Sequence, residues 1–173
     1  MKYKFIFTIL LFVLLSNNIA QAGTTYFLNF KQILNESDAG KKAQNFLKKK
    51  LETGLKGIKD KEKSILDDEK KIINQKNVLS PEEYKKKVTD LRAKVSSLQK
   101  ERSKLLDSVA KQRSKARTEL LKNLNPILND YMKEKKIRMV IDQKNILLAD
   151  ENLDITKDIM SLLNKKLKKI NLN

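Results

Sequence analysis

The spacing of apolar residues changes along this chain, and those changes help to mark out its elements. Phe5–Leu15 is continuously apolar apart from Thr8. Thr24–Phe30 then alternates, with Tyr26, Leu28 and Phe30 on one face, which predicts a strand over about 24–30. From Lys41 to Asn77 the period lengthens. Leu51, Ile58, Ile65 and Ile72 recur every seventh residue, and Leu47, Leu55, Leu66 and Ile73 widen the stripe, so a long amphipathic helix is predicted. A second heptad run, Tyr84, Val88, Leu91, Val95, Leu98, Leu105 and Val109, is broken only by Arg102 and predicts a helix from Pro81 to about Lys135. Its phase loosens through Ala116, Leu120, Leu124, Ile127 and Tyr131, and Pro126 is expected to kink or interrupt it.

Between the two heptad runs stands Ser80-Pro81-Glu82-Glu83. Ser80 suits a helix N-cap, Pro81 the first helical position and Glu83 the far side of a capping box. With so few residues to turn in, the helices are expected to fold back as an antiparallel coiled-coil hairpin with its tip at 78–83. About 37 helical residues would reach roughly 55 Å, more than a compact domain of this size needs. Ile137–Asp142 and Ile146–Asp150 read as two more strands, paired through Gln143-Lys144-Asn145. Asp154 is expected to cap a closing helix over about 155–168, and the lysine-rich tail after Lys165 to fray.

The fold class is therefore mainly α with a small β body. The body is read over 23–40 and 124–173, and the helical-hairpin arm over 41–123. Its candidate core is Tyr26, Leu28, Phe30, Met139, Val140, Ile141, Leu147 and Leu148. So small a sheet has a modest core, so several bodies are expected to share apolar faces in an oligomer.

The first residues change the setting. Lys2 and Lys4, the apolar run and the small-x-small end Ala20-Gln21-Ala22 have the order of a secretory signal peptide (1–22), with cleavage expected after Ala22. The run is short for a bilayer span, and an uncleaved anchor is the other reading. Removing Lys2 and Lys4 lowers the formal charge from +17 to +15. Such a field attracts polyanions, and export turns the expectation from nucleic acid to lipid headgroups, surface glycolipids and acidic proteins. With no Cys and no His, disulfides, thiolate or imidazole metal sites and His-based triads are excluded. Four Gly and two Pro leave few loops from which to build an enzyme pocket. Asp67-Asp68-Glu69 and Asp150-Glu151 lack a glycine-bent loop around them, so neither a metal nor a catalytic role is read from them. No cofactor is called for.

The segments FLNFKQIL (27–34) and MVIDQKNILLADENLDITKDIMSLL (139–163), on either side of a basic helical hairpin, resemble the Skp/OmpH family of periplasmic chaperones. The resemblance runs over essentially the whole chain after the signal peptide. It implies a homotrimer in which strands of three chains form a β-barrel-like body and the arms enclose a cavity. It also implies an ATP-independent holdase that performs no catalysis and keeps unfolded outer-membrane β-barrel proteins from aggregating in the periplasm. Contact with an anionic lipid or lipopolysaccharide surface is a second implied partnership; nucleic acid is not. The lysine runs Lys48-Lys49-Lys50 and Lys85-Lys86-Lys87 are denser than the family pattern suggests.

On the arm, apolar positions outside the two-helix seam are the candidates to face a client: Leu55, Leu66 and Ile73. The cationic candidates are Arg92, Lys94, Lys100, Arg102 and Lys104. Two other readings stay open: an exported structural coiled coil that spaces or tethers envelope components, and a basic nucleic-acid-binding helical protein.

Overall fold

The computed structural model describes residues 24–172, so the signal-peptide reading of 1–22 lies outside the described residues. Strand β1 (Thr25–Leu28) is followed at once by helix α1 (Phe30–Glu36). Helix α2 (Asp38–Asn74) and helix α3 (Pro81–Glu134) form the hairpin. Strand β2 (Met139–Asp142), 3-10 turns at Gln143–Asn145 and Glu151–Leu153, and helix α4 (Thr156–Lys166) complete the order. None of these helices is long and apolar enough to cross a membrane.

The two strands pair in parallel, with Thr25 opposite Met139 and Leu28 opposite Asp142. Parallel neighbours need a long crossover, and here the hairpin supplies it. On its other side β1 meets Asp154, and its Phe27 carbonyl accepts the Ile155 N–H at 2.9 Å. One core lies beneath. It joins Leu28, Ile33, Ala39, Leu120, Leu124, Ile127, Ile155, Ile159 and Leu163, with Ile33, Ile159 and Leu163 fully buried. Residues from both ends of the sequence thus share a body with the base of the hairpin.

Several expectations are corrected. The first strand stops at Leu28 because Asn29 caps α1, its side chain accepting from Gln32 N at 2.8 Å. Phe30 is therefore helical, and Phe27, assigned to the other face, is buried beside Leu28. The link between α1 and α2 is Ser37 alone, which caps α2 by accepting from Gly40 N at 3.2 Å. Pro126 does not interrupt α3; it sits exposed inside the continuous helix. The closing helix spans 156–166, not 155–168. Asp154 stands one position before its N-cap, and its carboxylate still accepts from Thr156 N at 2.8 Å.

The largest correction is the third strand. Residues 146–150 form no strand and no hairpin with 137–142. Asp142 and Asp150 instead accept backbone N–H bonds from Lys144 and Asn152, and each closes a 3-10 turn. These local bonds offer the backbone an alternative to a ladder. Leu147 and Leu148 consequently point outward, almost wholly exposed, and Met139 is more than half exposed, so these three lie outside the core of the single chain. Tyr26, Phe30 and Val140 pack against the core, and Ile141 is half-buried.

Helix α3 ends in a Schellman motif. Lys136 takes a left-handed φ of 55°, and Ile137 N reaches back to Met132 O at 2.8 Å. Near that end Tyr131 donates to the Asp158 carboxylate at 2.6 Å, tying α3 to α4. Burial, and then this bond, push the Tyr131 phenol up to about 12 from its ordinary 10.0. A raised tyrosine pKa favours the neutral phenol in the folded chain. Its stabilisation is complete below about pH 10 and disappears as pH rises toward 12. Tyr131→Phe should therefore flatten the fall in urea midpoint between those pH values, leaving only the common alkaline loss.

Candidate functional site

The hairpin is set in register by a ladder of contacts. Lys50 Nζ donates to Ser108 Oγ and to Gln112 Oε1, both at 2.9 Å. Farther along, Arg102 pairs with Glu62 at 3.7 Å and Lys94 with Asp68 at 2.7 Å. As one residue number rises its partner's falls, which is the antiparallel arrangement. Gly54 lets the helices approach closely. A Cβ there would lie 2.5 Å from Leu105 Cδ2. Inside the seam Ile58 and Ile72 are buried, and Leu51, Ile65, Tyr84, Val88, Leu91, Leu98, Leu105 and Val109 are half-buried. Val95, placed on the seam by its spacing, is 44% exposed.

The far end turns through 75–80. Ser80 accepts from Glu83 N at 3.3 Å, and the Glu83 carboxylate accepts from Ser80 N at 3.0 Å, a complete capping box beside Pro81. The backbone N–H, then the hydroxyl of Ser80, hold the Glu83 carboxyl below the usual carboxylate range.

Outside the seam lies the apolar surface available to a partner. Leu55 is 39% exposed, Leu66 55% and Ile73 59%. All three belong to α2, and they are spread along its length rather than gathered into one pocket. Val78 at the tip is 85% exposed and belongs to the same class of surface; it was missed because it breaks the heptad period.

Arg92, Lys94, Lys100, Arg102 and Lys104 are all exposed on α3. Two of them are spent within the hairpin. The hydrogen bond from Lys94 and then its charge lower the Asp68 pKa, and the same contact raises that of Lys94. Arg102, the break in the apolar seam, finds Glu62 across the interface. Arg92, Lys100 and Lys104 form no ion pair among the described residues. Among those residues no group of three or more acidic side chains is placed to hold a metal ion. Asp68 is ion-paired and Asp150 caps a turn.

The site as a whole is a long basic hairpin inserted between two strands that pair in parallel. The sequence pattern of the family described as "Outer membrane protein (OmpH-like)" matches residues 24–163. The chain belongs to that family. The OmpH-like fold is also seen in a crystal structure from Caulobacter crescentus, described as that of an OmpH-like outer membrane chaperone. It superposes with a TM-score of 0.79 at 17% identity, covering 85% of this chain and 87% of that one. No curated protein matches the sequence. At this identity the OmpH-like architecture is retained while most side chains differ.

Proposed function

We propose that this OmpH-like protein is an ATP-independent holdase of the periplasm that keeps unfolded outer-membrane β-barrel proteins from aggregating. The observation that carries this reading is a hairpin arm whose seam is satisfied and which still exposes Leu55, Leu66 and Ile73 amid lysines. Scattered apolar residues alone are ordinary on a surface; in a chain of this family we read these as footholds for a client. Spread thinly along a helix, they suit many weak contacts with a chain that has no fixed shape. No reaction is required. The homotrimer belongs to the same proposal. Leu147, Leu148 and Met139, which the single chain leaves exposed beside its two-stranded sheet, are the surface that further copies would cover. Light scattering should give three times the mass of one chain. The function is tested by diluting a urea-unfolded β-barrel membrane protein into buffer with and without the purified protein. A holdase suppresses turbidity at near-stoichiometric amounts, whereas an envelope spacer leaves it unchanged.

Charge then governs the speed of capture. Long-range attraction accelerates association and is screened over about 8–10 Å at ordinary ionic strength. Replacing Arg92, Lys94, Lys100, Arg102 and Lys104 by Gln, a comparable helix former, should slow stopped-flow capture of an acidic client about tenfold at low salt. The rates of the two proteins should converge at high salt, with dissociation little changed. Equal capture rates under all conditions would limit these cations to solubility. An anionic lipid or lipopolysaccharide surface would draw on the same cations, so lipid vesicles should compete with the client.

A further inference from the structure

The segment after α4 does not fray. Leu167 and Ile170 pack on the body core. Ile170 and Leu172 also close a second, smaller cluster with Ala43, Leu47, Val109 and Ala116, in which Leu172 is only 5% exposed. This cluster lies at the base of the hairpin, where the small side chains of Ala43 on α2 and Ala116 on α3 leave a groove.

The way the groove holds its occupant is informative. Lys42 Nζ donates to the Lys168 carbonyl at 3.1 Å, and Gln112 Nε2 donates to the Leu172 carbonyl at 2.6 Å. Lys50 Nζ donates to Gln112 Oε1 at 2.9 Å, which fixes the amide so that its NH2 faces the tail. A further ion pair joins Lys168 to Asp38 at 3.3 Å. Two donors thus grip main-chain carbonyls, which every polypeptide offers. Two side chains spaced by two residues fill the apolar floor. That spacing is the period of a β-strand with one apolar face, the pattern of transmembrane β-barrel strands.

We propose that residues 168–172 are a displaceable strap, and that an unfolded segment with alternating apolar side chains competes with them for the groove of Ala43, Leu47, Val109 and Ala116. This rests on the holdase reading and adds to it a binding groove at the base of the arm, distinct from the exposed residues farther out. The strap keeps this apolar surface covered in the empty protein and yields it to a client. A binding site occupied in cis most of the time has its apparent affinity reduced by the fraction left open. Freeing a groove covered about nine-tenths of the time therefore tightens binding about tenfold.

The test uses the full-length protein, a form ending at Leu167, and Leu172→Asp in the full-length chain. Binding of a fluorescently labelled, urea-unfolded β-barrel membrane protein is followed by anisotropy. Circular dichroism and light scattering check that each form keeps its helix content and mass. Both altered forms should bind about tenfold more tightly than wild type. A synthetic peptide of residues 167–173 added in excess should return the truncated form to the wild-type value. If the truncated form proves unfolded, Leu172→Asp alone decides. Client binding that is unchanged or weakened in a folded variant, or a peptide that fails to compete, overturns the strap while leaving the holdase standing. Failure of wild type and variants alike to bind any client overturns the holdase reading and the strap with it.

Discussion

Excising Gly54–Asp107 is expected to leave the body folded and to remove most of the protection given to an unfolded β-barrel protein. The cut is symmetric about the Ser80-Pro81 tip, and the structure brings its ends together. Gly54 packs against Leu105, and Lys50 reaches Ser108, so Thr53 and Ser108 can be joined by a short polar turn. Everything in the main core lies outside the excised segment, from Leu28, Ile33 and Ala39 to Leu120, Leu163 and the residues between. The groove of Ala43, Leu47, Val109 and Ala116 also remains, still covered by Leu172. What is lost is Leu55, Leu66 and Ile73 with their surrounding lysines. Turbidity of a diluted client should approach that of the client alone, with only the strapped groove left to bind it, while circular dichroism reports a folded protein with fewer helical residues. Undiminished protection by the shortened form would place the principal binding surface in the body.

Gly40→Ala should be the most destabilising small substitution in the chain, costing about 3 kcal/mol, at the upper end of the usual cost of overpacking. A Cβ on Gly40 would lie 2.1 Å from the Leu34 carbonyl oxygen and 2.9 Å from the Leu34 carbonyl carbon. This obstacle is backbone, at the end of α1, and cannot rotate away as a side chain can. Moving it would disturb the buried Ser37 cap and drag Ile33, fully buried, out of the core. The control is Gly57→Ala. There an added Cβ meets nothing within 4 Å, and replacing a mid-helix glycine should stabilise by about 1 kcal/mol. Urea midpoints measured at one fixed protein concentration should shift in opposite directions. The fixed concentration matters because the proposed trimer would couple assembly to folding. A Gly40→Ala protein as stable as wild type would show that the corner between α1 and α2 is pliable.

These two glycines show how unevenly structure can be read from sequence. In the primary sequence both are weak points in or beside a helix, and nothing local separates them. Only the path of Leu34 across the start of α2 makes one indispensable. The long helices were legible because heptad spacing and the Ser80-Pro81-Glu82-Glu83 signal act within a few residues of one another. Arg102 was legible as an interruption of the seam, but its partner Glu62 was not, since the register of the hairpin fixes that pairing.

The short apolar runs were read less well. Ile146–Leu148 carries the composition of a strand, yet the carboxylates of Asp142 and Asp150 close local turns on either side of it. β-structure needs a partner that periodicity does not name, and β2 finds its partner in β1, more than a hundred residues away. The lysine-rich tail looked too polar to pack. It is held by its three apolar side chains, Leu167, Ile170 and Leu172, and by carbonyls that a sequence pattern does not display.

By itself, then, the sequence determined the helical hairpin, its tip, its basic surface and the absence of cysteine and histidine chemistry, because those follow from residue identity and local spacing. Tertiary structure alone decided the parallel pairing of β1 with β2, the outward turn of Leu147 and Leu148, the critical place of Gly40 and the docking of the tail. The pairing and the docking depend on which distant segment arrives alongside, whereas the other two depend on the backbone path through the Asp142 and Asp150 turns and the corner at Ser37, which residue spacing does not display.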